Sequence, residues 1–66
     1  MKNYDVHFND NDNSNAKGFD ISLLEAKNYI SCNNGSNNSY FSDYKGGSVS
    51  IICNTTGECM HSEIIK

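Results

Sequence analysis

The 66-residue chain contains no proline, no tryptophan and no arginine. Without proline, no helix or strand is interrupted by a residue that lacks a backbone N–H donor. Arginine is the side chain best suited to phosphates and nucleic-acid bases, because it forms paired hydrogen bonds with them. Its absence, together with a net charge of −3 and a pI of about 5.0, argues against binding to nucleic acid or anionic membranes.

Long apolar runs are also lacking. No segment approaches the roughly 20 apolar residues that span a bilayer. Met1 leads into a polar segment rather than into the apolar stretch of a signal peptide. Hydrophobic residues make up only 36% of the chain, so the core must be small. We therefore expect a cytoplasmic protein with one small domain over residues 1–66.

The first half of the chain carries the patterns of one strand and one helix. Apolar residues alternate over residues 4–8, which predicts a strand with these side chains facing inward. The Asn- and Asp-rich residues 9–15 predict a loop. Residues 17–22 predict the approach to a helix over residues 23–30.

The predicted helix has a start and a stop signal. Ser22 and Glu25 have the spacing of a capping box, in which a hydroxyl and a carboxylate satisfy the first helical N–H groups. Gly35 suits the left-handed position after the helix end. The expected buried stripe consists of Leu23, Ala26 and Ile30, with Tyr29 at its margin.

Three further strands are predicted in the second half. Residues 40–44 are rich in aromatics, residues 48–53 alternate until Ile52, and residues 58–65 return as the last strand, with turns at 45–47 and 54–57. The predicted fold is α+β: a single helix packed on a small four-stranded sheet, in the order β-α-β-β-β. The last three strands form an antiparallel meander, and a right-handed helical crossover joins the first strand to it.

The turn at residues 54–57 predicts the register of the last hairpin. A type I turn followed by a left-handed Gly57 places Asn54 opposite Glu58. The pairs that follow are Cys53 with Cys59, Ile51 with His61, and Val49 with Glu63.

The three cysteines permit three interpretations. Cys53 and Cys59 are either small hydrophobic side chains packed under the helix or a redox-sensitive cross-strand disulfide. Cys53, Cys59 and His61 are also candidate zinc ligands, with Cys32 or His7 as a fourth. Their spacing is not that of a known structural zinc site, so we expect no metal and no cofactor.

A second metal candidate fails on its own pattern. Asp10, Asp12 and Ser14 resemble the first half of a calcium-binding loop. Asn15 stands where the loop requires glycine, and Ile21 stands where it requires a bidentate glutamate. The segment is therefore interpreted as a solvated loop.

No residue pattern indicates catalysis, so we predict a small non-enzymatic binding or accessory protein. The sheet face away from the helix is its expected contact surface, and Ile52, Met60 and Ile64 form the apolar part of that surface. An unknown protein or a second copy is the expected partner, and pairing of strand edges is a possible mode. The alternative is a redox- or metal-responsive protein that uses Cys53 and His61 with Cys59.

Residues 43–47, 49–51 and 53–58, together with residues 13–19 and 25–30, form a pattern that covers most of the chain. This pattern resembles a family of small bacterial proteins with a domain of unknown function. The resemblance implies an independent bacterial α+β protein. It implies no activity and no site residues.

Overall fold

The computed structural model describes residues 3–10 and 14–66. In this part of the chain, six elements follow one another in the order β-β-α-α-β-β. Their bounds are β1 Tyr4–Asn9, β2 Ser14–Ile21, α1 Leu23–Asn33, α2 Ser39–Asp43, β3 Ser48–Cys53 and β4 Cys59–Ile64. The α+β class is confirmed. Within the same residues, no helix is long and apolar enough to cross a membrane.

The four strands form one antiparallel sheet in the spatial order β2-β1-β3-β4. β1 and β3 occupy the centre, and β2 and β4 form the edges. Because β2 and β3 are both antiparallel to β1, they run parallel to each other. Helices α1 and α2 follow β2 and connect it to β3. The prediction that the helical connection leaves from the first strand is therefore wrong.

β2 is the strand that the sequence did not predict. The expected loop and helix approach are wrong from Ser14 onward, because residues 14–21 pair with β1, with His7 opposite Ala16. Residues 11–13 of the expected loop, including Asp12, lie outside the described residues. Every second side chain of β2, including Phe19, is half-buried, and the others are exposed. This two-residue period is that of a strand with one face toward the core and the other toward solvent.

Helix α1 begins where the sequence predicts. The Ser22 hydroxyl oxygen accepts from the backbone N–H of Glu25 at 3.1 Å, and the hydroxyl donates to the Glu25 carboxylate at 3.1 Å. The helix runs three residues past its predicted end to Asn33, and Gly35 follows with φ of 87°. Ala26 and Ile30 are buried, as predicted, and the other two residues of the stripe are half-buried.

The predicted strand over residues 40–44 is wrong, because residues 39–43 form the short helix α2. The Asn38 carboxamide oxygen accepts from the backbone N–H groups of Tyr40 at 3.0 Å and Phe41 at 3.5 Å. This cap satisfies the donors that a helix start leaves open. It also turns Phe41 into the core, where its side chain is buried.

Phe8 lies at the centre of the aromatic packing. Its ring centroid lies 5.1 Å from that of Phe41 in an edge-to-face contact, and 5.9 Å and 5.7 Å from those of Tyr40 and Tyr44. Such pairs add about 0.5–1.5 kcal/mol each to the burial of the rings. The buried cluster comprises Val6, Phe8, Ala26, Ile30, Phe41, Val49, Ile51 and Ile65. Since both helices contribute to it, they pack on one face of the sheet, which we call the core face.

Candidate functional site

The opposite face of the sheet, which we call the outer face, contributes no residue to the core cluster of the described chain. In β3, the buried Val49 and Ile51 alternate with Ser48, Ser50 and Ile52, which therefore point to the outer face. The outer face continues onto β4, because the Ser50 hydroxyl donates to the Ser62 hydroxyl at 3.2 Å. These positions are the ones expected from sequence to form the contact surface.

The apolar residues of this surface lie at its two ends. Ile64 is 67% exposed and stands opposite Ser48, whereas Met60 is 44% exposed and follows Cys59, the partner of Ile52. A row of hydroxyls from Ser50 and Ser62 separates the two ends. At a rise of about 3.3 Å per residue, they lie roughly 13 Å apart. The apolar surface is thus interrupted.

The predicted opposition of Cys53 and Cys59 is wrong. Glu58 pairs with Cys53 rather than with Asn54, so the loop is one residue longer than expected: Cys53 N–H donates to the Glu58 carbonyl at 2.8 Å, and Gly57 N–H donates to the Cys53 carbonyl at 2.7 Å. Cys59 then pairs with Ile52, and a register shift of the β-bulge type restores the predicted alignment farther from the turn. Cys53 is buried and Cys59 is exposed.

The candidate metal ligands are not brought together. Cys53 is buried, Cys59 is exposed, and His61 pairs with Ile51 as predicted. Cys32 is exposed on α1, and His7 lies across from Ser50. Among the described residues, no group of three His, Cys, Asp or Glu side chains could hold a metal ion, and no pocket is present.

A polar cluster at the core-face side of β4 does bring functional groups together. His61 Nε2 lies 2.8 Å from Glu63 Oε1, and the Asn34 side-chain amide donates to Glu63 Oε2 at 2.7 Å. The hydrogen bonds from His61 and Asn34, in that order, hold the pKa of the Glu63 carboxyl below its usual range. Glu63 therefore keeps its negative charge beside His61 at the edge of the sheet.

Asn34 is the residue of this cluster that sequence reasoning missed. Its side chain donates to the Ile64 carbonyl at 3.0 Å and accepts from the Lys66 N–H at 2.9 Å. The Asn34 carboxamide thus forms hydrogen bonds with backbone groups of β4 and of the residues after it, as a neighbouring strand would. Its position just before Gly35, which ends the helix, is the one signal in the sequence that points to Asn34. The strand with which its side chain bonds is decided by the tertiary structure.

A second polar cluster lies near the turn of the last hairpin. The Asn54 side-chain amide donates to the Asp20 carboxylate at 2.9 Å, and Asp20 N–H donates to the Asp5 carboxylate at 3.0 Å. The hydrogen bond from Asn54, followed by that from Asn3, lowers the pKa of Asp20. These contacts tie β2 to the hairpin turn, with Asp20 held at φ of 55°.

Comparison with models of known protein families, with curated proteins and with solved structures finds no match. The resemblance to a bacterial domain of unknown function therefore stays a prediction.

Proposed function

We infer that this chain is a small, non-enzymatic binding protein of the bacterial cytoplasm, and that it contacts another protein through the outer face of its sheet. The inference rests on one observation: Ile64 and Met60, on the edge strand β4, are exposed. An isoleucine side chain that moves from water into an interface contributes about 1.5–3 kcal/mol. Two such side chains and the half-buried Ile52 supply anchors for a protein partner.

The other large exposed hydrophobic residues of the described chain favour this surface by contrast. Tyr40 already has partners, because its ring stacks on Phe8 and receives the Lys17 ammonium 4.2 Å from its centroid. Leu24 is 68% exposed on α1, with no second exposed large hydrophobic residue on that helix. The net charge of −3 favours a protein surface over nucleic acid as the partner.

The serine row at the centre of the outer face suits the same role. Ser50 is only 9% exposed, and Ser62 is exposed beside it. Hydroxyls both donate and accept, so they adapt to the polar groups of a partner. The surface has apolar side chains at its two ends and hydroxyls between them. It suits an extended segment of a partner that carries both apolar and polar side chains. No observation favours the redox- or metal-responsive alternative, since Cys53 and Cys59 differ in burial and do not oppose each other.

Site-specific photo-crosslinking tests the inference. A photoreactive residue at position 64 should give one discrete cross-linked protein in the native cell, whereas the same residue at position 24 should not. Leu24 is the matched control because it is equally exposed on a different element. Adding Ile52→Thr should reduce the product from position 64 without lowering the thermal midpoint by more than a few degrees. Equal products from positions 64 and 24 would contradict the proposal.

A further inference from the structure

Asn34, the residue that follows helix α1, is the asparagine of this chain that precedes a glycine. In such a pair, the backbone nitrogen of the glycine can attack the side-chain carbonyl carbon of the asparagine, because no side chain on the glycine shields that nitrogen. Gly35 has φ of 87°, a conformation that strains a residue with a side chain. The end of α1 therefore requires the dipeptide in which this attack meets the least steric hindrance.

The attack leads to deamidation, and water is the only co-reactant. The Gly35 nitrogen, after it loses its proton to hydroxide, forms a bond to Asn34 Cγ. The Cγ–Nδ2 bond breaks, and ammonia leaves with a proton taken from water, so that hydroxide is regenerated. Water then opens the resulting five-membered succinimide at one of its two carbonyl carbons, which gives aspartate or isoaspartate at position 34. Nothing is oxidised or reduced.

Two features of the folded chain oppose closure of this ring. Asn34 has ψ of 120°, whereas the ring places its Cβ and the Gly35 nitrogen on the same side of the Cα–C bond, at a ψ of about −120° that lies outside the common regions for L-residues. The carboxamide is also bound elsewhere: Nδ2 donates to Glu63 Oε2 at 2.7 Å and to the Ile64 carbonyl at 3.0 Å, and Oδ1 accepts from the Lys66 N–H at 2.9 Å. Ring closure therefore requires that these hydrogen bonds break first.

One of the three hydrogen bonds also has an opposite effect. The Lys66 N–H withdraws electron density from the Asn34 carbonyl, which makes Cγ a better electrophile. Polarisation accelerates a reaction only when the reacting atoms are close and aligned, and the observed ψ keeps them apart. Gly35 also lies against Lys66, whose Cβ is 3.8 Å from the place of a methyl group on Gly35. The geometry therefore dominates, and the folded state protects Asn34.

We propose that Asn34 is a modification site, which deamidates from a locally opened state and thereby releases the C-terminal end of β4 from helix α1. This goes beyond the proposed function, because it concerns a covalent change in the chain rather than its partner. Aspartate at position 34 lacks both donors and faces the Glu63 carboxylate and the Ile64 carbonyl. Isoaspartate also lengthens the backbone by one carbon. Neither product restores the three hydrogen bonds, so the release is irreversible.

Peptide mapping by mass spectrometry during incubation at constant pH measures the rate at each asparagine. In the full chain unfolded in urea, Asn34 should convert faster than any other asparagine. In the folded chain, its rate should be lower by about tenfold or more, since local opening limits the reaction. Asn37 is the internal reference, because it is exposed in the loop after α1 and precedes Asn38 rather than a glycine. Equal rates at Asn34 in the folded and unfolded chains would overturn the proposal.

Two matched pairs of variants test the protecting hydrogen bonds. Glu63→Ala removes one acceptor of the Asn34 amide and should raise the rate in the folded chain by about five- to a hundredfold. Glu58→Ala, at an exposed position beside the hairpin turn, should change it by less than about twofold. Lys66→Pro removes the N–H that Asn34 Oδ1 accepts and should also accelerate the reaction, whereas Lys66→Ala keeps the N–H and should not.

Circular dichroism checks that each variant is folded. The two pairs act on different atoms, so the test remains decisive where one variant does not fold. An unchanged rate at Asn34 in a folded Glu63→Ala or Lys66→Pro chain overturns the proposal.

Hydrogen exchange on the converted chain tests the release. Deamidation adds one negative charge, so anion exchange separates the converted chain from the unmodified one. Ile65 N–H, which donates to the Gly47 carbonyl at the end of β4, should exchange about tenfold faster in the converted chain. Cys53 N–H, which donates to the Glu58 carbonyl at the other end of the hairpin, should exchange at an unchanged rate. Equal exchange of Ile65 in both chains would show that conversion does not release β4 and would overturn the proposal.

Discussion

The side chain of Asn34 donates a hydrogen bond to the backbone carbonyl of Ile64 at 3.0 Å. It joins the residue after helix α1 to the last residue of strand β4, 30 positions later. The same carboxamide accepts from the Lys66 N–H and donates to Glu63. One side chain thus holds the C-terminal end of β4 to the helix, and it satisfies backbone groups that an edge strand leaves open.

Replacement of Asn34 by aspartate should destabilise the fold. The introduced carboxylate would keep an acceptor for Lys66 N–H but lose both donors, and it would face the carboxylate of Glu63 and the carbonyl of Ile64. Loss of hydrogen bonds that leaves acceptors unsatisfied costs about 1–3 kcal/mol. Urea unfolding should therefore show a lower midpoint with an unchanged slope.

Asn37 provides the control for this substitution. It is exposed in the loop between α1 and α2, so Asn37→Asp adds the same charge away from Glu63 and should change stability by less than about 0.5 kcal/mol. If both variants unfold at the same urea concentration, the contact between Asn34 and β4 does not stabilise the protein.

The contact between Asn34 and Ile64 joins residues 30 positions apart, and the sequence does not predict it. Features that depend on neighbouring residues are easier to predict. The left-handed Gly57, the Ser22–Glu25 cap and the strand over residues 48–53 are predicted from local patterns, and the structure confirms them. The pairing of β4 against β3 was correct away from the turn, where Ile51 stands opposite His61.

The errors arose where distant residues decide the conformation. Residues 14–21 become a strand because β1 supplies the pairing. Residues 39–43 become helical because the Asn38 cap combines with packing of Phe41 on Phe8. Aromatic residues favour strands only weakly, so a cap and a buried contact override the preference. The position of the β-bulge near Cys59 depends on how the hairpin turn closes, and amino-acid composition does not reveal this.

The stability of the protein should depend on the charge of Glu63. Hydrogen bonds from His61 and Asn34 lower the pKa of this carboxyl in the folded state. Folding is then stabilised by the charged form above the unfolded-state pKa, and this contribution is lost as the pH falls through the lower folded-state pKa. Glu63→Gln retains an acceptor but no charge. The difference in stability between the two chains should therefore be constant near neutral pH and shrink below about pH 4.

Urea unfolding over a pH series measures this difference. Glu58→Gln is the control, because Glu58 is an exposed residue beside the hairpin turn. The unfolding of this variant over the same pH series shows the effect of losing one negative charge from the same hairpin. A Glu63→Gln difference that stays constant down to pH 3 or so would show that His61 and Asn34 do not favour the charged carboxyl.

Two glycines differ sharply in the space around them, and this difference gives the last prediction. A methyl group at Gly47 would overlap the backbone carbonyl oxygen of Asn9, where β1 ends beside the start of β3. Backbone atoms of two paired central strands cannot move apart without breaking the ladder. Gly47→Ala should therefore destabilise by about 3 kcal/mol, the upper end of the usual cost of overpacking, because the overlapped atoms are backbone atoms. Gly18 in β2 has no atom within 4 Å of the same methyl position, and neither Gly18 nor Gly47 has a positive φ. Gly18→Ala should consequently leave stability unchanged or raise it by up to about 1 kcal/mol, since alanine restricts the unfolded chain. Thermal unfolding of both variants compares the two sites, and equal midpoints would mean that the close approach of Gly47 to Asn9 does not constrain the sheet.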